Sequence, residues 1–310
     1  MRKYLLLIIF PGVLSAYTGR SGGVFLSRGA GARPTALCGA FTAIAEGPQA
    51  VFWNPAGIAL VSRKSVSLTS NKFFAGITGA DIAFVSPSKE GAVGISMIAS
   101  FSGKIEITTE EQQEGTGHYY SANDYALGIS YARRLTDKFN AGFTIKVYSL
   151  NIYKVTATGW LIDIGGTYNT GLAGNLRFGY AIRNFGPNTR YRGENLTEET
   201  EEGFSWTYIS TSFPMPLCFQ GGFAVDVLSS PKVTVDAEIV HQNDQPTTYA
   251  VGLEAVLGNM KIRTGITRKD LIEYGAGIGY NVGSSMGIDY TVQKHKYLGY
   301  IHRVAVNFEL

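Results

Sequence analysis

From Ser65 onward the apolar residues of this chain recur at every second position. In 123–131, Tyr125, Leu127, Ile129 and Tyr131 fall on one side, and Asp124, Ala126, Gly128 and Ser130 on the other. In 175–183, Leu176, Phe178, Tyr180 and Ile182 oppose Asn175, Arg177, Gly179 and Arg183. The same alternation runs through 217–227, 272–282, 286–293 and 300–310. A period of two puts neighbouring side chains on opposite faces of a strand; a helix would repeat every 3.6 residues. The runs are about ten residues long, the length a tilted strand needs to cross the hydrocarbon of a bilayer.

Strands are predicted at 65–73, 79–87, 92–102, 121–133, 139–150, 157–169, 174–185, 216–227, 231–242, 247–257, 260–268, 271–282, 285–293 and 299–310. The expected fold is therefore all-β: a 14-stranded antiparallel transmembrane β-barrel. An even strand count brings both ends of the barrel chain to one side. Connections after even-numbered strands are short. The two longest, 103–120 and 186–215, follow odd-numbered strands, as short periplasmic turns and longer external loops would produce.

The two faces differ in chemistry. One is largely aromatic and aliphatic. The other carries Lys146, Asp163, Arg177, Arg183, Asp226, Asp236, Glu238, Glu254, Arg263, Glu273, Asp289 and Arg303. Charges of both signs are costly against lipid and tolerated toward a polar interior. Only 16% of residues are charged, against 38 Gly, 18 Tyr and 17 Phe among 310. That balance suits β structure with one apolar face better than a helical soluble enzyme. A net charge of +3, two of it from Arg2 and Lys3, gives no argument for a nucleic-acid partner.

Residues 1–16 read as a secretory leader: Arg2 and Lys3, then the apolar run 4–10, then Ser15-Ala16 before Tyr17. The apolar run is too short to span a membrane and is broken by Pro11-Gly12. The expected location is the bacterial outer membrane. Cys38 and Cys218 are either two buried thiols or a disulfide between the N-terminal segment and the wall.

Between leader and barrel, 17–64 is rich in small residues and poor in charge. It is expected to fold as an N-terminal hatch inside the lumen, burying Phe41, Ile44, Phe52 and Trp53; a periplasmic cap or a dimer contact is the alternative. A short helix is expected within 35–45 after Pro34, and a turn or helical start at Asn54-Pro55.

The residues Phe25-Leu26, Gly29-Ala30-Gly31-Ala32-Arg33, Gly39-Ala40-Phe41 and Trp53-Asn54-Pro55-Ala56-Gly57 resemble the N-terminal signature of the PorV/PorQ family, within the FadL-like group of outer-membrane barrels. The resemblance makes Gly29, Arg33, Gly39 and Trp53 to Gly57 the hatch motif. The acidic pair that often precedes the motif is reduced here to Glu46-Gly47. Arg303, Ala305, Phe308 and Leu310 at the chain end resemble the insertion signal of outer-membrane proteins, with Leu310 in place of the commoner terminal aromatic.

Two functions travel with this resemblance. PorV and PorQ are accessories of type IX secretion, with secreted cargo or secretion-system proteins as partners. FadL-like members pass long-chain fatty acids or other hydrophobic small molecules, with a hatch that shifts and a ligand that leaves sideways through the wall. The first is the expected role, because the acidic stretch with Glu194, Glu198, Glu199, Glu201 and Glu202 suits a protein contact. Outer-membrane lipid is a partner in either case. No Ser–His pairing motif and no Cys/His cluster of ligand spacing is present, so neither an enzyme nor a metal or other cofactor is expected.

Overall fold

The computed structural model describes residues 19–172, 174–193, 197–199, 205–207, 210–269, 271–295 and 299–310. The leader expected at 1–16, and Glu194, Glu201 and Glu202, lie outside them.

Fourteen strands form the wall: β1 (Ser65–Lys72), β2 (Thr78–Ser88), β3 (Gly91–Phe101), β4 (Ala122–Arg134), β5 (Phe139–Ile152), β6 (Val155–Asn169), β7 (Arg177–Phe185), β8 (Cys218–Ser229), β9 (Lys232–Gln242), β10 (Gln245–Leu257), β11 (Met260–Arg268), β12 (Ile272–Val282), β13 (Met286–His295) and β14 (Gly299–Glu309). Each pairs antiparallel with its neighbours in sequence, and β1 closes on β14 with Ser65 opposite Glu309. Closure leaves no edge strand, which a bilayer would not tolerate. The expected strand at 174–185 starts only at Arg177, because Gly174 (φ 73) and Asn175 (φ 49) turn the backbone into the left-handed region.

The alternation has the expected sense. Leu127, Ile129, Phe178, Tyr180, Tyr249 and Val304 are exposed on the outer surface, whereas Ser130, Asp163, Glu238, Arg263 and Arg303 are buried on the inner face. Loop asymmetry is narrower than the rule suggests. At the end opposite β1's start, the connections 153–154 and 243–244 are as short as any turn, and only 102–121 and 186–217 are long. Both long connections carry short ladders of their own: Ile105–Glu106 with Tyr119–Tyr120, and Thr197–Glu199 with Ser205–Thr207.

The N-terminal segment begins at the end bearing the long connections, where Gly19 N donates to Asp244 O and Gly22 N to Pro214 O. Further along, its contacts reach residues near the end where β1 starts: Arg33 bonds Glu254 and Gln49 bonds Ser67. The helix expected within 35–45 is instead a short helix over Ala32–Ala36, with Pro34 in its first turn. Cys38 (φ 53) and Gly39 (φ 87) stop it. Two 3₁₀ turns follow, Pro48–Phe52 and Pro55–Leu60, each opening on proline, whose missing N–H costs nothing there. Both cysteines are free thiols, Cys218 buried and Cys38 half-buried.

Candidate functional site

The inner face divides into three levels, each joined to the N-terminal segment by different chemistry. At the end with the long connections lies an apolar chamber. Phe25 and Leu26 of the segment are buried against Ala126, Tyr148, Leu150, Ala157 and Leu161 of β4–β6 and Met215 of the long connection. Tyr191 and Phe213, with ring centroids 5.5 Å apart, close it from above. The second apolar cluster is built differently. There the segment supplies the large groups (Phe41, Val51, Phe52, Trp53, Ile58), and the wall supplies mainly alanines and Val85. In the first cluster the wall supplies Tyr148, Leu150 and Leu161; in the second its larger apolar groups are Val85 and the partly buried Ile98.

At mid-height the segment is held by polar contacts. Trp53 donates Nε1–H to Ala30 O at 2.8 Å and packs edge-on to Phe41. Gly29 and Gly39 lie against the Trp53 ring, where a Cβ would approach to 3.2 Å. Asn54, fully buried, caps the following turn by accepting from Ala56 N. Its Nδ2 donates to Thr42 O at 2.9 Å and to Gly166 O on β6 at 3.1 Å. Pro55 presses on Gly142 of β5, and a Cβ at Gly165 would overlap Asn54 Oδ1. Gly57 fits under Ala45 O, where a Cβ would overlap that carbonyl, and Ala56 is fully buried. Glu238 of β9 accepts from the main-chain N–H of Phe41 and Thr42, and from the Thr42 hydroxyl.

At the end where β1 starts the contacts are ionic. Arg33 makes a two-pronged pair with Glu254, both bonds 2.8 Å, and a third bond to Glu46 at 2.9 Å. Arg263 bridges Glu254 and Asp289 at 2.6 and 2.5 Å. A vestibule of about 410 Å³ opens here, lined among others by Arg33, Glu46, Gln49, Lys261, Arg263 and Asp289.

Between the chamber and mid-height the wall is irregular. The β6–β7 register shifts between Ile162 and Ile164. Two consecutive residues, Arg183 and Asn184, are buried on the inner side, and Asn184 has φ 60. Asn184 N bonds the Asp163 carboxylate at 2.7 Å, and Lys146 Nζ reaches both Asp163 (2.8 Å) and Asn184 Oδ1 (2.5 Å).

The sequence motif is thus one physical unit. Trp53, Gly29 and Gly39 pack together, Asn54 to Gly57 dock on β5 and β6, and Arg33 is the ionic tie. At the chain end, Arg303 is fully buried, donating to Arg28 O and Gln293, and Ala305 is buried beside it. Leu310 is exposed, and Phe308 pairs with Val66 across the closing seam. Gly142, Gly165 and Glu238 were not singled out for the site; the Gly165-Gly166 pair inside a strand was the available signal for a close backbone approach. Among the described residues no group of three or more His, Cys, Asp or Glu is placed to hold a metal ion.

No protein-family model and no curated protein matches the chain. Solved structures do. The toluene transporter TbuX of Ralstonia pickettii superposes with TM-score 0.62 at 14% identity, over 91% of this chain and 98% of that one. The toluene transporter TodX of Pseudomonas putida gives 0.61 at 13%, over 90% and 96%. A FadL homologue of Pseudomonas aeruginosa gives 0.55 at 10%, over 90% and 98%. These likenesses correct the expected PorV/PorQ membership and type IX secretion role: the fold matched over nearly the whole chain is that of FadL-like transport barrels. The chain has the 14-stranded fold of these outer-membrane β-barrels.

Proposed function

We propose that the protein is a passive outer-membrane channel for small apolar molecules, with 17–64 as a hatch inside the barrel 65–310. The apolar chamber carries this reading. Tyr148, Leu150 and Leu161 of the wall, with Met215 of the long connection, form an apolar pocket, and Phe25 and Leu26 fill it. Full burial of each is worth roughly 1.5–3 kcal/mol, so an apolar ligand gains comparably by replacing them. The Phe25 side chain is a benzyl group. A pocket that takes it takes a monocyclic aromatic hydrocarbon of the toluene kind, the compound for which TbuX and TodX are described as transporters.

The hatch motif (Gly29, Arg33, Gly39 and Trp53 to Gly57) then fixes the plug at mid-height and at its foot. The ionic vestibule at that foot is a poor route for an apolar molecule, because crossing it strips water from ion pairs that the molecule cannot replace. The interrupted β6–β7 ladder, which begins next to Leu161, is the nearer break in the wall, and Lys146, Asp163 and Asn184 line it. Phe308 and Leu310, with Ala305 and Arg303 turned inward, serve as the barrel's insertion signal.

The test is toluene binding to the purified barrel, read by headspace partition. Wild type should bind saturably. Ala157→Phe, which fills the chamber from the wall, should weaken binding tenfold or more, and Gly221→Ala, whose added methyl meets nothing closer than 3.8 Å, should not. Equal binding by the Ala157→Phe barrel would overturn the assignment.

A further inference from the structure

We infer that the Tyr148 hydroxyl sets the specificity of the apolar chamber, so that the ligand it fits best is a monocyclic aromatic carrying one oxygen acceptor, of the cresol kind. This rests on the chamber reading above and narrows its ligand class.

Tyr148 is 4% exposed. Among the described residues its hydroxyl has no hydrogen-bond partner, although it is cut off from water. The local cause is the strand pairing. Tyr148 on β5 stands opposite Ala126 on β4 and Gly159 on β6. Its ring lies over Gly159, where a Cβ would come within 2.4 Å of Tyr148 Oη. Two small neighbours therefore leave room for the ring and offer no side-chain acceptor.

The other polar groups around it are committed. Lys146, on the same face two residues earlier, is bound to Asp163 at 2.8 Å and to Asn184 Oδ1 at 2.5 Å, and an ammonium has no lone pair with which to accept. The Thr189 hydroxyl faces Tyr148 but donates its own proton to Thr158 O at 3.2 Å, and the two hydroxyls are not bonded. The main-chain carbonyls of β4 to β6 serve the ladders between those strands. Phe25 and Leu26, which fill the chamber, have hydrocarbon side chains and supply no acceptor.

Phenylalanine would bury the same ring with no polar group left over, whereas a buried hydroxyl without a partner is costly. A ligand that replaces Phe25 removes that cost if it brings an oxygen. Toluene brings only the ring. A cresol brings the ring and an oxygen that accepts from Tyr148 Oη–H. Sites that hydrogen-bond a ligand hydroxyl discriminate strongly against the analogue without one, because the site's own buried group is then left unpaired.

The experiment follows toluene on the full barrel by headspace partition and displaces it with p-cresol or with p-xylene, which has a methyl group where p-cresol has its hydroxyl. In a chamber without a partner for the hydroxyl, p-cresol would bind about a thousandfold more weakly than p-xylene, the cost of taking a hydroxyl from water into hydrocarbon. The expected result for wild type is an affinity within about a hundredfold of p-xylene, since the hydrogen bond returns much of that cost. Tyr148→Phe should lower the ratio of p-cresol to p-xylene affinity by about tenfold or more. A residue that only packs would change both ligands in parallel, so an unchanged ratio overturns the assignment. Heat-modifiable gel mobility verifies that the variant barrel is folded, and if it is not, the wild-type comparison decides alone. Toluene bound by wild type with p-cresol more than a hundredfold weaker than p-xylene overturns the role of Tyr148 and leaves the chamber standing. Absence of toluene binding overturns the chamber itself, and the role of Tyr148 with it.

Discussion

The Asn54 amide donates to the main-chain carbonyl of Gly166 at 3.1 Å, and this buried bond joins the N-terminal segment to the wall. Both groups are out of water, so neither finds a replacement partner if the other is removed. Asn54→Ala strands the carbonyls of Thr42 and Gly166 at a cost of about 1–3 kcal/mol each. The expected outcome is loss of hydrogen-exchange protection in 40–57 while the barrel strands keep theirs. Uniform loss across strands and segment would show that the segment and wall unfold together.

Gly165 and Gly142 leave room for Asn54 and Pro55. Gly165→Ala places a methyl group where Asn54 Oδ1 sits, and the Asn54 amide is pinned there by its bonds to Thr42 O and Gly166 O. The segment should be displaced and permeability to small solutes in reconstituted vesicles should rise several-fold. Gly221→Ala, whose nearest atom would be 3.8 Å away, should leave permeability at the wild-type level.

Arg263 is buried between Glu254 and Asp289. Glu254 keeps Arg33 when Arg263 is removed, and Asp289 keeps Asn307 alone. Breaking a buried pair from one side costs about 3–5 kcal/mol, because the remaining charge is left uncompensated. Arg263→Met should lower the denaturant midpoint accordingly. Adding salt should not reproduce the effect, since buried pairs are weakly screened.

Burial, with Glu273 nearby, pushes the Cys38 thiol from its ordinary 9.0 up to about 12. The thiolate is the reactive form, so Cys38 should react slowly at neutral pH and about tenfold faster per pH unit until the pH nears 12. The sign for stability follows. The unfolded chain gives up this proton near 9 and the folded chain near 12, so the contribution present below 9 is lost as pH rises between them. A Cys218→Ser barrel should therefore lose stability over that window, and Cys38→Ala in the same background should lose less.

The sequence alone determined the wall. Strand number, sense of alternation and the inward turn of Lys146, Asp163, Glu238, Arg263 and Arg303 all follow from a local rule: adjacent side chains on a strand face opposite ways, and charges do not face lipid. The Trp53-Asn54-Pro55 motif was legible for a related reason, since a buried Asn before Pro is a local cap and turn. What each inward residue touches was not legible. Arg33 meets Glu254, 221 positions away, and Asn54 meets Gly166, 112 away. Neither separation leaves a trace in local pattern. Only the tertiary structure revealed that the segment starts at the end with the long connections, that Phe25 and Leu26 fill the apolar chamber, and that β6 and β7 slip beside it. The acidic stretch after 194 suggested a protein partner, whereas the function now proposed rests on the chamber. Its wall lining comes from the consecutive strands β4, β5 and β6, where Ala126 lies opposite Tyr148 and Leu150 opposite Ala157, and Phe25, Leu26 and Met215 join them only in the tertiary structure.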